Sequence, residues 1–240
     1  MKKSIVILGG CGGIGRALVE KLNKLNFEPI VLDLESSIKK HSVDCVCIPV
    51  DATEWQSIQN ATNEIHSEVY GIVNLVGFMS DNVSLIDTET ETWNEVISGN
   101  LQSVFLSVKA LSKTIREGGS IVLTSSGLGH FARPGYGPYA IAKAGVSAIT
   151  RQLALELSPK IRVNAVAPAA VDTAFLRGGT GRSSENEPPR FDYEKYAESI
   201  PLRRIAVPKD ITGPIIFLLS EEASYITGQT IHVNGGSYMP

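Results

Sequence analysis

The 240-residue sequence lacks the features that mark membrane, secreted and metal-stabilised proteins. It has only three cysteines, Cys11, Cys45 and Cys47, and no run approaching the roughly 18 apolar residues that a membrane-spanning helix requires. Three cysteines at this spacing form neither a disulfide framework nor a metal site, so we expect no metal and a reducing, cytoplasmic compartment. Cys45 and Cys47 lie two apart in an apolar run and are expected to be core residues sharing one face of a strand.

The sequence also lacks any block of charge of one sign. Its 22 Lys and Arg are interspersed with 25 Asp and Glu, which gives a net charge of −3. Nucleic acid and anionic membrane surfaces are therefore not expected as partners. With 43% hydrophobic and 20% charged residues, no repeats and no composition break, the chain is expected to form one globular domain over residues 1–240.

Short apolar runs alternate with amphipathic stretches along the whole chain. The runs predict strands buried on both faces at Ser4–Leu8, Pro29–Leu32, Cys45–Val50, Gly71–Val76, Ser120–Thr124, Ile161–Val166 and Thr230–Val233. The stretches predict helices at about Ile14–Leu25, Glu54–Ser67, Thr92–Arg116, Tyr139–Ser158 and Pro208–Leu219. This alternation predicts an α/β protein: a single Rossmann-type, doubly wound domain with a parallel sheet of about seven strands flanked by helices. Ligands bind such sheets at the carboxyl ends of the strands.

One long stretch breaks the alternation. Residues from about 174 to 200 are rich in Gly, Ser, Pro and charge. A loop of that length inside a compact domain is typical of a functional segment, so we expect a substrate lid there. His130 and Tyr136 precede another predicted helix, and the sequence leaves two roles open for them: lining a substrate cleft or forming a surface turn.

A glycine-rich segment, Gly9-Gly-Cys-Gly-Gly-Ile-Gly15, joins the first predicted strand to the first predicted helix. Glycines at such a junction allow a tight turn and let backbone N–H groups approach a pyrophosphate at the helix N-terminus. The alternative is a loop that serves packing alone. The strand–loop–helix context favours dinucleotide binding through Gly9, Cys11, Gly12, Gly13, Ile14 and Gly15.

Asp33 ends the second predicted strand, eighteen residues after Gly15. A carboxylate at this position accepts hydrogen bonds from the adenosine ribose hydroxyls and repels a 2′-phosphate. The alternative is an ordinary turn aspartate. We expect Asp33 and the adjacent Leu34 to contact the cofactor, and the cofactor to be NAD rather than NADP.

Tyr139 and Lys143 lie four residues apart, and therefore on one face of a predicted helix. An aromatic packing residue followed by a solvated lysine would give the same spacing. Position favours a functional pair, because the helix follows a strand that ends at Ser125-Ser126, on the carboxyl edge of the sheet.

The sequence resembles the short-chain dehydrogenase/reductase family over essentially its whole length. Landmarks of the family recur in order: Gly9-x-x-x-Gly13-Ile-Gly15, Asp51, Asn74, Asn100, Ser126, Tyr139 and Lys143, Arg162-Val-Asn164-x-Val-x-Pro168, Val171-x-Thr173, and a tail from Thr227 to Gly236. Three positions depart from the family pattern: Leu8, Leu75-Val76 and Ala169. We expect Leu8 and Leu75-Val76 to face each other between neighbouring strands, an apolar contact in place of a polar one.

The resemblance implies a role for each matching residue. Ser126 would hold the substrate oxygen, Tyr139 would exchange its proton, Lys143 would bind the nicotinamide ribose and bias the tyrosine, and Asn100 would hold a water of the proton relay. Asp51 would meet the adenine, and Val171 and Thr173 the carboxamide. Ala52, Asn74, Val76 and Pro168 complete the expected cofactor-contacting set.

Simple electrostatics is consistent with the Tyr139–Lys143 pair. Lowering a tyrosine pKa from about 10 to about 7 takes roughly 4 kcal/mol. One ammonium about 4 Å away supplies about that much at an effective dielectric near 20. Lys143 is therefore expected to make Tyr139 a usable base near neutral pH.

These observations predict an NAD-dependent oxidoreductase that transfers hydride between nicotinamide and a secondary alcohol or ketone. The polar composition of the expected lid favours a small polar substrate. Two alternatives stay open: a 3-oxoacyl thioester reductase, which would normally use NADPH, and a dinucleotide-binding regulator without turnover. The resemblance and the uncharged run Val96–Val108 predict a homotetramer.

Overall fold

The computed structural model describes residues 2–178, 188–189 and 191–239. Seven strands in that part of the chain form one parallel sheet: β1 Ser4–Leu8, β2 Glu28–Asp33, β3 Val46–Pro49, β4 Val69–Asn74, β5 Ile115–Thr124, β6 Ile161–Pro168 and β7 Thr230–Val233. Their order across the sheet is β3-β2-β1-β4-β5-β6-β7. The chain moves outward in one direction from β1 and in the other from β4, so the switch point lies between those two strands. The predicted doubly wound fold is confirmed.

Helices cover both faces of the sheet. They are α1 Gly13–Lys24, α2 Glu35–Lys40, α3 Trp55–Asn63, α4 Thr90–Ile97, α5 Ser103–Leu111, α6 Gly137–Leu157, α7 Tyr193–Ser199 and α8 Pro208–Leu219. One apolar core joins α3, α5 and α6 to the sheet, and the other joins α1 and α8 to its opposite face. Strands buried on both sides explain why the sequence shows continuous apolar runs rather than alternation.

The predicted helix Thr92–Arg116 is wrong in its extent. A π-helical turn, Ser98–Gln102, interrupts it, and its last residues belong to β5. In that turn Asn100 Nδ2 donates to Val96 O at 2.9 Å, and Ser103 Oγ donates to Gly99 O at 2.9 Å. Side-chain bonds to the backbone of the preceding turn compete with regular helical hydrogen bonds, which accounts for the irregularity.

Two further segments differ from the sequence prediction. The short helix α2 was not predicted because it has no apolar period; an ion pair between Glu35 and Lys39, four residues apart at 2.6 Å, supports it. The predicted lid contains a 3₁₀ turn, Ala174–Arg177, and the helix α7. Residues 179–187 and 190 of the predicted lid lie outside the described residues.

The run Val96–Val108 is mostly buried within the single chain, against the sheet and α6, so its apolar character does not by itself require a partner subunit. Phe105 is the large side chain of this run that faces outward. In the part of the chain that the structure describes, no helix is long and apolar enough to cross a membrane, and no group of three or more His, Cys, Asp or Glu side chains is placed to hold a metal ion.

Candidate active site

A cavity of about 730 Å³ opens at the carboxyl ends of the strands. The segments following β1, β2, β4, β5 and β6 all contribute to its wall. This is where a parallel sheet with a switch point between β1 and β4 places its ligand.

The glycine loop forms one end of the cavity. Gly9 has a φ of +76°, and a side chain there would place its Cβ 3.1 Å from the carbonyl carbon of Leu75. A Cβ on Gly13 would lie 2.6 Å from the methyl group of Thr173. Helix α1 begins at Gly13 without a side-chain cap and without an acidic residue in its first turn. This glycine cradle and uncapped helix end fit the pyrophosphate of a dinucleotide.

Leu8 and Leu75, which depart from the family pattern, lie on neighbouring strand ends beside the glycine loop. Leu8 is fully buried, and its carbonyl accepts a hydrogen bond from Leu75 N at 2.9 Å. The Leu8 side chain packs in the same apolar core as Val76, whereas Leu75 packs against the core on the opposite face of the sheet, so the expected apolar contact is present for Val76 only.

Asp33 lies on the cavity wall at the end of β2. Its Oδ2 accepts a hydrogen bond from Cys11 N at 2.8 Å, and its Oδ1 accepts one from Leu34 N at 2.8 Å. Burial raises the pKa of the Asp33 carboxyl, and these two backbone N–H groups oppose the rise. A backbone N–H of the glycine loop thus helps to hold the Asp33 carboxylate in place.

Cys11 itself does not line the cavity, so its predicted contact with the cofactor is not supported. Cys11 belongs to the glycine loop, but its side chain is fully buried and does not face the cavity. Burial, followed by the Asp33 charge, raises the pKa of its thiol to about 12. The protonated thiol of Cys11 therefore packs in the core, while the backbone N–H of the same residue donates to Asp33.

The adjoining wall is formed by Leu34, Val50, Asp51, Ala52 and Thr53, as the sequence predicts for Leu34, Asp51 and Ala52. Asp51 Oδ1 accepts hydrogen bonds from Thr53 N at 2.9 Å and from Thr53 Oγ1 at 2.6 Å. Further along, Val76, Pro168, Val171 and Thr173 also line the cavity where expected.

Ser126, Tyr139 and Lys143 all line the cavity. Ser126 follows β5, whereas Tyr139 and Lys143 lie on the inner face of α6 and are both buried. Lys143 Nζ lies 5.6 Å from the centre of the Tyr139 ring and donates to the carbonyl oxygen of Thr124 at 3.0 Å. Three of the four predicted catalytic side chains are thus brought together by two elements that are adjacent in space.

The electrostatics of this group differ from the simple expectation. Burial raises the pKa of Tyr139 to about 12, and a hydrogen bond with Ser126 opposes the rise. Burial also lowers the pKa of Lys143 to about 8. Desolvation therefore outweighs the attraction expected between Lys143 and the phenolate, so Tyr139 keeps its proton at neutral pH.

Two predicted asparagines do not reach the cavity wall. Asn100 is fully buried, with Nδ2 donating to Phe78 O at 2.9 Å and Oδ1 accepting from Phe78 N at 3.2 Å. A Cβ on Gly77 would lie 2.6 Å from Asn100 Oδ1 and 3.1 Å from Lys143 Nζ, so only this glycine separates the two side chains. Asn74 is also buried: its Oδ1 accepts from Val76 N at 3.0 Å, and its Nδ2 has no hydrogen-bond partner among the described residues.

The substrate end of the cavity was missed by sequence reasoning. Its wall combines polar and charged side chains, among them Asn82, Arg133, Asp192 and Lys195, with a larger set of apolar and aromatic ones: Phe78, Met79, Leu128, Phe131, Tyr136, Phe175, Phe191, Tyr196 and Tyr238. The Phe175 ring lies 5.8 Å from the Tyr139 ring. Tyr136 therefore lines the cleft, while His130 lies outside its wall. Three of these aromatic residues, Phe175, Phe191 and Tyr196, belong to the predicted lid, whose overall polar composition does not indicate an aromatic wall.

Comparisons with known proteins agree with this geometry. The family model described as enoyl-(acyl carrier protein) reductase matches residues 10–238. The 3-oxoacyl-[acyl-carrier-protein] reductase FabG of Aquifex aeolicus is 35% identical, over 98% of this chain and 97% of that protein. The FabG of Buchnera aphidicola subsp. Baizongia pistaciae is 32% identical, over 100% of this chain and 98% of that protein. The chain belongs to the short-chain dehydrogenase/reductase family.

Solved structures of this family share the fold. A short-chain dehydrogenase/reductase from Brucella melitensis, described as a glucose/ribitol dehydrogenase, superposes with a TM-score of 0.88 at 27% identity, over 100% of both chains. The aldohexose dehydrogenase of Thermoplasma acidophilum gives a TM-score of 0.88 at 26% identity, over 100% of this chain and 96% of that one. As a short-chain dehydrogenase/reductase, the protein is an oxidoreductase.

Proposed function

We propose that this chain reduces the keto group of a 3-oxoacyl thioester, with NADH as the hydride donor. The observation that carries the proposal is that Tyr139 and Ser126 line the same cavity as nine apolar and aromatic side chains. Such a wall suits an acyl chain better than the small polar substrate expected from the sequence. Relatives named 3-oxoacyl-[acyl-carrier-protein] reductase support the same substrate class.

The chemistry follows from the protonation states. Ser126 orients the keto oxygen by a hydrogen bond, and Tyr139 donates its phenolic proton to that oxygen as the C–O bond becomes single. A raised pKa keeps Tyr139 protonated at neutral pH, which is the form that reduction requires. The Lys143 ammonium then stabilises the resulting phenolate. NADH, when bound, supplies the hydride to the carbonyl carbon.

The choice of NADH rests on Asp33. Its carboxylate lies on the cavity wall beside the glycine loop, where a 2′-phosphate would meet a like charge. Among the described residues that line the cavity, the cations are Arg133, Lys143 and Lys195, and none of them lies on the loop or on β2. Lys39, a nearby cation in the sequence, is paired with Glu35, and Arg16 donates to Cys11 O at 2.7 Å.

A substrate panel tests the proposal. Acetoacetyl-CoA and a longer 3-oxoacyl thioester are assayed with NADH and NADPH, beside ribitol, glucose and simple secondary alcohols with NAD. We expect the highest kcat/KM for the longer thioester with NADH. A clear preference for ribitol or glucose would instead support a polyol or sugar dehydrogenase, and cofactor binding without any turnover would support a regulator.

A further inference from the structure

Two histidines lie outside the cavity wall, close to the elements that carry Ser126, Tyr139 and Lys143. His130 follows the 3₁₀ turn Gly127–Gly129, which begins after Ser126, and His232 lies on β7. Their rings meet edge to face with centres 4.5 Å apart. Neither ring lines the cavity, so any effect on the reaction must pass through other residues.

His130 is joined to the catalytic helix by two buried serines. His130 Nε2 lies 3.2 Å from Ser147 Oγ, and Ser147 Oγ lies 2.8 Å from Ser125 Oγ. Ser125 Oγ in turn donates to the carbonyl oxygen of Lys143 at 2.9 Å. Because Ser125 immediately precedes Ser126, this chain of contacts ties the end of β5 to α6, the two elements that carry the catalytic side chains.

Counting protons identifies the form of His130 that this arrangement needs. Each serine has one hydroxyl proton to donate. With Ser125 donating to Lys143 O at 2.9 Å, Ser147 donates to Ser125 at 2.8 Å, a shorter contact than its 3.4 Å to Lys143 O, and the contact between Ser147 and His130 then uses the imidazole N–H. This arrangement assigns the proton of His130 to Nε2.

Tyr238 contacts both the backbone of His130 and the ring of His232. Tyr238 OH donates to His130 O at 3.3 Å, and the Tyr238 ring lies 5.7 Å from that of His232. Burial, and then the Arg151 charge, lowers the pKa of His130, while burial and His130 lower that of His232. Both rings are accordingly neutral at pH 7.

We propose that His130 is a positioning residue: its Nε2–H holds Ser147 and Ser125, and through them keeps Ser126 in register with Tyr139 and Lys143. The inference rests on the proposed roles of these three residues in hydride transfer, but on no particular substrate. Any ketone that the wild-type enzyme reduces serves for the test.

Kinetics of four variants and one control variant test the role of this N–H group. His130→Phe should lower kcat by about fivefold or more, with the KM for the ketone and the NADH affinity changed by less than about twofold. His130→Gln, which restores an N–H donor, should recover most of the loss. Ser147→Ala should resemble His130→Phe, and the double variant should be no worse than either single one. His66→Phe, at an exposed histidine beyond α3, is the matched control.

Equal kcat values for His130→Phe and His66→Phe would overturn the proposal. A loss that glutamine does not recover would also do so, because it would assign the effect to ring packing. Additive losses in the double variant would show that His130 and Ser147 act separately. If His130→Phe fails to fold, the glutamine and Ser147→Ala variants still decide between these outcomes.

A second measurement needs no turnover. In ¹⁵N NMR spectra at pH 8, His130 should be the Nε2–H tautomer, and Ser147→Ala should speed exchange of that proton with water. The Nδ1–H tautomer, or exchange unchanged by the substitution, would refute the role of His130. A wild-type chain that reduces no ketone would refute the proposed function, while the NMR result would still decide the hydrogen-bond arrangement.

Discussion

The backbone N–H of Cys11 donates to the Asp33 carboxylate at 2.8 Å. This bond links the glycine loop to the end of β2, so the loop proposed to accept the pyrophosphate also fixes the charge proposed to lie beside the adenosine ribose. The proposed cofactor preference would therefore depend on the loop itself rather than on a separate specificity segment.

We expect NADH to exceed NADPH by at least about tenfold in kcat/KM. A phosphate of charge about −2 lying about 5 Å from Asp33 is repelled by about 3 kcal/mol at an effective dielectric near 40, and tenfold corresponds to about 1.4 kcal/mol. Asp33→Ser should narrow the gap, chiefly by improving NADPH. Glu221→Gln, which removes an exposed charge outside the cavity wall, should leave the ratio unchanged. Equal use of both cofactors by the wild type would contradict this assignment.

Tyr139→Phe should reduce turnover by a factor of about 100 or more, since it removes the proton donor and keeps the ring. The Kd for NADH, measured by fluorescence, should stay within about threefold of wild type. Tyr225→Phe, at a fully exposed tyrosine, is the control. Activity of Tyr139→Phe within tenfold of wild type would remove Tyr139 from its proposed role.

NADH affinity should depend on pH through Lys143. Burial lowers the pKa of this ammonium to about 8, so it carries its charge below that pH and loses it above. We expect a constant NADH Kd below about pH 7 and weaker binding above about pH 8. Lys143→Arg should bind NADH with little change between pH 7 and 9.5, because a guanidinium remains charged up to about pH 12. Wild-type affinity that does not vary with pH would contradict the prediction.

Phe175→Ala should weaken binding of long acyl substrates. Burying an aromatic side chain against an apolar ligand is worth roughly 1.5–3 kcal/mol, so the KM for an eight-carbon 3-oxoacyl thioester should rise by about tenfold or more. The KM for acetoacetyl-CoA should change less, since its acyl chain is short. Tyr225→Ala is the control. An equal effect on both substrates would mean that Phe175 does not contact the acyl chain.

We expect the chain to form a symmetric homo-oligomer, as a tetramer. Phe105 on α5 is half exposed, and Ile141 and Leu155 on α6 are also exposed. Exposed apolar side chains on helices are typical of a subunit interface. Light scattering should give four chain masses, and Phe105→Asp should reduce that mass, whereas Leu25→Asp at another exposed position should not. A monomer at micromolar concentration would refute the expectation.

The sequence predicts the order of strands and helices well because local periodicity and buried apolar runs determine both. It also predicts that Ser126, Tyr139 and Lys143 come together, because two of them share a helix face and the third directly follows the preceding strand. It fails where distant segments meet. Tyr238 reaches the substrate end of the cavity from near the C-terminus, and the bonds of Asn100 to Phe78 depend on a loop after β4. No local pattern encodes such contacts.

The π-helical turn Ser98–Gln102 makes the site sensitive to a change of chain length by a single residue. Successive residues of an α-helix are rotated by about 100°, so removing one residue from this turn would rotate everything after it by about that angle. Asn100 would lose its alignment with Phe78, and the buried face of α5 would turn away from the sheet. A one-residue gap at this point in an alignment would thus separate chains able to build this site from chains that form an equally good helix without it.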